Sequence, residues 1–146
     1  MNRRGFLTLS AAAAALPVVA EAKPGLGRHT FSDRQFETLS AVAELVNPPD
    51  HPLPGASEVG VAHKLDELAA RFPEGMAKEL KAAIALVQVR RLVHKDREGR
   101  EALWTTLSQG SATDRQVHKS LTSLCTATYW ASPEVWEHVG YPGPPL

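Results

Sequence analysis

Along almost the whole of this 146-residue chain the apolar residues recur at intervals of three and four, and nowhere do they alternate in twos over a sustained run. That period lines up side chains on one helix face, so the chain is predicted to be all-α: a small bundle of about five helices. Ser32, with Gln35 three residues on, forms a capping box, and Phe31 and Phe36 flank it as a hydrophobic staple. Phe36, Leu39, Val42, Ala43 and Val46 share the inner face until Asn47-Pro48-Pro49, where proline lacks the N–H that would continue the helix. Asn47 to Gly60 reads as a surface loop.

A second helix is predicted from Val61 to Arg71, with Val61, Leu65, Leu68, Ala69 and Phe72 on one face. Pro73 opens a third, carrying Met76, Leu80, Ala83, Ile84 and Val87 to about Val93. His94 to Arg100 reads as a charged break containing Gly99. A short fourth helix follows with Leu103, Trp104 and Leu107, closed by Gly110. Thr113 and Gln116 repeat the capping-box spacing before a fifth helix with Val117, Leu121, Leu124, Cys125 and Thr128 inward. Ser132-Pro133-Glu134 marks an N-cap and a last turn or two, ended by Gly140. The tail from Tyr141 to Leu146, rich in proline, is expected to be extended.

The first residues carry an address rather than structure. Arg3 and Arg4, then Phe6-Leu7 and an apolar run to Ala20, have the form of a twin-arginine export signal, with Ala20 and Ala22 at the small-x-small cleavage site. The run falls short of the roughly 20 apolar residues of a spanning helix. The expected organisation is a signal peptide over 1–22, a linker over 23–30 and one helical domain over 31–146, located in the periplasm. The twin-arginine translocase moves chains that are already folded, commonly because a cofactor has been inserted. Nothing downstream looks like a cofactor site, so the expected bearer of a cofactor is a partner chain.

Charge and chemistry narrow the function further. Removing residues 1–22 leaves one more acidic than basic side chain, which gives no footprint for nucleic acid or an anionic membrane. Cys125 stands alone, so no internal disulfide forms, and its place on an apolar face predicts burial. None of the six histidines pairs with another at helix metal-site spacing, and Asp50-His51 with Glu58 among prolines is a weak ligand set. His118 lies two turns from Cys125, too far for a direct hydrogen bond. No catalytic, cofactor or metal residues are therefore assigned. Aromatic side chains crowd near the end: Tyr129, Trp130, Trp136 and Tyr141. They either fold the last helix onto the domain or, with Pro142 and Gly143, form an anchor for another protein.

The twin-arginine leader and both ends of the domain resemble a known family. Thr30-Phe31-Ser32 through Val46-Asn47-Pro48, then Pro54-Gly55-Ala56 and Glu58-Val59-Gly60-Val61, are similar to the small subunit of flavin-dependent dehydrogenases, the gluconate 2-dehydrogenase subunit 3 family. So is Tyr129-Trp130-Ala131-Ser132-Pro133-Glu134-Val135-Trp136 with Val139-Gly140-Tyr141-Pro142-Gly143-Pro144, although the family often has two tyrosines where Tyr129-Trp130 stands. From Phe72 to Gln116 only the helical pattern matches. The resemblance implies a non-catalytic accessory subunit with no cofactor of its own. Its partner would be a large FAD-containing subunit of the glucose-methanol-choline type, escorted through the twin-arginine pathway, with a cytochrome c or quinone taking the electrons. The alternative is a free-standing periplasmic helical protein whose aromatics line a ligand pocket.

Overall fold

A computed structural model describes residues 30–145. The export residues Arg3, Arg4, Phe6 and Leu7 and the cleavage residues Ala20 and Ala22 lie outside that range. Among the described residues seven α-helices follow one another: α1 (Asp33–Val46), α2 (Ala56–Val59), α3 (Val61–Ala69), α4 (Glu74–Val89), α5 (Arg97–Gln109), α6 (Ala112–Trp130) and α7 (Pro133–Val139). A 3₁₀ turn, Leu92–His94, joins α4 to α5, and no strand occurs among the described residues. The all-α expectation holds. No described helix is long and apolar enough to cross a membrane.

The first helix starts where its sequence says. Ser32 Oγ accepts from the Gln35 N–H at 3.3 Å and the Gln35 side chain accepts from the Ser32 N–H at 3.0 Å, satisfying two donors that the first turn would otherwise leave open. Phe31 is buried beside it. Thr30, assigned to a linker by sequence, already belongs to the domain. Its N–H and that of Phe31 both donate to the buried carboxylate of Asp66, each at 2.9 Å. α1 and α6 form the centre. α1 packs against α4, α3, α2 and α6, while α6 also carries α5, α3 and α7. Leu39, Leu65, Leu80, Ile84, Leu92, Leu107, Leu121 and Leu124 fill the space between them.

Four boundaries depart from expectation, each for a local reason. The supposed loop after α1 contains α2, whose first turn is capped from elsewhere: Glu44 accepts from Ser57 N–H at 2.9 Å and from its hydroxyl at 2.7 Å. Glu58 reaches back to the Gly55 N–H. Gly55 is required by crowding, since a Cβ there would lie 2.8 Å from Glu44 Oε1 and 3.0 Å from Pro49 Cδ. The third predicted helix stops at Val89 rather than Val93, because Arg91 adopts a left-handed backbone, φ 58°. The fourth begins six residues before Leu103, at Arg97. Asp96 accepts from the Gly99 N–H at 2.8 Å, so Gly99 belongs to the first turn and not to a break. The fifth begins at Ala112, with Ser111 and Asp114 as the capping pair in place of Thr113 and Gln116.

Candidate functional site

The aromatic residues near the end separate into two environments. Tyr129 lies in the last two turns of α6, is 3% exposed, and donates its hydroxyl to the Pro54 carbonyl at 2.6 Å. Burial, and then the carboxylates of Glu58, Asp50 and Glu44, raise its phenol above the usual range, which keeps the proton needed for that donation. As a surface contact for a partner, Tyr129 is therefore corrected: it is a core residue of this chain. Trp130 turns the other way and is 45% exposed. The two rings meet edge-on, centroids 5.3 Å apart.

Beyond α6 the chain folds back through α7. Ser132 occupies the N-cap position, yet its hydroxyl does not cap. It is fully buried and donates to the Thr128 carbonyl at 2.7 Å, tying α7 to the end of α6. Trp136 is half-buried, with its indole N–H on the Trp130 carbonyl at 2.7 Å. Its ring meets Tyr141 edge-on at 5.4 Å, and the Tyr141 N–H donates to the Trp136 carbonyl. Gly140 ends α7 at φ 70°. The tail does not run on as a straight polyproline segment. Gly143 takes φ 96°, and a Cβ there would sit 3.4 Å from the Trp136 ring, so the chain bends over the indole. Trp130, Trp136, Tyr141, Pro142 and Gly143 thus form one connected aromatic and proline surface, with Tyr141 46% exposed.

A residue missed by sequence reasoning lies underneath. Lys64, on α3, is completely buried, and its ammonium donates to Glu134 Oε2 at 2.9 Å across 70 residues of sequence. The signal was present: Lys64 lies three residues after Val61 and four before Leu68, on the stripe that faces inward. Two of the stretches of sequence that carry the resemblance, 54–61 and 129–144, meet through Tyr129 and Pro54, and Lys64 fastens the second to α3.

Elsewhere the chemistry is sparse. Among the described residues no group of three or more His, Cys, Asp or Glu side chains is placed to hold a metal ion, and the Glu58 of the Asp50-His51 set is engaged at Gly55. Cys125 is fully buried, and burial pushes its thiol up to about 12, far from a reactive thiolate. His118 packs against Trp104 with the rings tilted by 38° and their centroids 4.6 Å apart, and burial lowers its pKa. Among the described residues, surface clefts of about 280, 390 and 170 Å³ are lined by α1 to α5 with their connecting turns and include none of the four clustered aromatics.

Residues 33–143 match the family model described as gluconate 2-dehydrogenase subunit 3. The chain belongs to that family. The match runs from the start of α1 to the glycine packed on Trp136, so it takes in the whole helical body and the aromatic surface. No curated protein and no solved structure matches the chain. Membership in the gluconate 2-dehydrogenase subunit 3 family makes the chain a subunit of a dehydrogenase complex.

Proposed function

We propose that this chain is the non-catalytic small subunit of a periplasmic, flavin-dependent dehydrogenase acting on a sugar, sugar acid or alcohol. In this reading it binds a large FAD-containing catalytic subunit, brings it folded through the twin-arginine pathway by way of Arg3 and Arg4, and remains to stabilise it. A cytochrome c or a quinone takes the electrons. The observation that carries the proposal is the family match over residues 33–143. The exposed Trp130, Tyr141 and Pro142, with half-buried Trp136 between them, supply a docking face of the expected kind, because large aromatics left in water on a small domain are typical anchors of protein interfaces.

The test is an affinity pull-down of the C-terminally tagged chain from its native periplasm, with an absorption spectrum of the eluate. A large companion chain with a flavin spectrum is the expected result. A colourless eluate of this chain alone, under conditions that preserve complexes, would overturn the proposal and favour the free-standing ligand-binding protein. Replacing Arg3 and Arg4 together by lysine is expected to strand both chains in the cytoplasm, read by fractionation.

A further inference from the structure

A seven-residue helix does not hold itself together in water, so α7 depends on what fastens it. Its apolar anchorage is slight: Val135 is its one buried residue, and Ser132 just before it is buried but polar. Val139, on the same helix, is half exposed. Against that thin contact stands Lys64, a long cationic side chain with no exposure at all. Among the described residues its ammonium has one hydrogen-bond partner, the Glu134 carboxylate, which is itself 48% exposed. The asymmetry matters. If α7 lifts, Glu134 gains water, whereas Lys64 loses the one carboxylate that pairs its ammonium among the described residues.

A leucine at position 64 would accept α7 in several placements, because apolar packing is non-directional. An ammonium accepts it in one, with a carboxylate at hydrogen-bond distance. Buried ion pairs contribute little net stability over apolar residues of the same volume, and their best-attested use is to select one arrangement among several. We infer that Lys64 and Glu134 are positioning residues, an ion pair that sets the placement of α7 and so of the aromatic surface formed by Trp136, Tyr141 and Gly143. The inference deepens the docking reading above and rests on it for its functional half, while its structural half stands on the Lys64–Glu134 geometry.

The experiment compares Lys64→Met, Glu134→Gln and Trp136→Ala in the full chain. Hydrogen exchange is followed on each isolated protein, and flavin-containing partner is measured in pull-downs. Lys64→Met keeps the volume and removes the buried charge. It is expected to leave the melting temperature and the protection of α1 and α6 intact, while exchange across Pro133–Val139 quickens on the order of tenfold and partner yield falls. Glu134→Gln is expected to lower global stability as well, since it leaves Lys64 without its counter-charge. Unchanged α7 protection in Lys64→Met overturns the positioning role whatever the partner does. Loosened α7 with full partner yield, in Lys64→Met and in Trp136→Ala alike, leaves the ion pair as the fastening of α7 and overturns the docking face.

Discussion

Single side chains in this domain are placed by partners far away in sequence, and their behaviour follows from that. Tyr129→Phe removes one hydroxyl and leaves the Pro54 carbonyl without its donor. The expected loss is about 1–2 kcal/mol, read from the denaturant midpoint. Cys125, buried with its thiol raised to about 12, is expected to resist thiol reagents at neutral pH in the folded protein and to react fully once unfolded. Rapid labelling of the native chain would contradict its burial. His118 contributes a pH dependence. Its folded pKa lies below the ordinary 6.5, so the unfolded chain takes up the proton first. The stability tied to neutral His118 is full above about pH 6.5 and is lost as the pH falls from there through the lower folded value. Wild type minus His118→Phe, melted at several pH values, should show that slope and no corresponding change on the alkaline side. Of these, the burial of Cys125 was readable from its apolar helix face, and the partner of Tyr129 was not. Tyr129 stood open between core and surface anchor because the carbonyl that claims it lies 75 residues away.

Helices were far more legible than their ends. The apolar stripe of α1 and its Ser32–Gln35 box predicted that element almost residue for residue, since both signals are local. The failures came where two local signals competed. Gly99 suggested a break, yet Asp96 was the stronger cap and drew α5 forward to Arg97. Ser111 with Asp114 prevailed over Thr113 with Gln116, and α2 escaped notice because its cap is the carboxylate of Glu44, on another helix. Asp96→Ala is expected to cost about 1 kcal/mol, the usual worth of an N-cap. The end of α4 offers the opposite change. Arg91 sits at φ 58°, where a side chain is disfavoured by about 1–2 kcal/mol. Arg91→Gly should therefore raise the denaturant midpoint slightly, part of the gain being offset by glycine's freedom in the unfolded chain.

At the scale of the whole molecule, the candidate surface is assembled from the late part of the sequence but held by the early part. Sequence showed the aromatics and not the fastening, because a buried lysine is invisible to any reading that sorts charged residues to the outside. The fastening has a consequence in time. Ribosomes deliver α3 and the Pro54 loop long before Tyr129 and Glu134, so α1 to α4 can begin to pack while the aromatic surface does not yet exist. A chain halted before Tyr129 would have neither bond and would display no ordered face. Recognition by another protein would thus report that synthesis had run through α7 and that its two distant anchor points had closed: the surface would act as a certificate of completion.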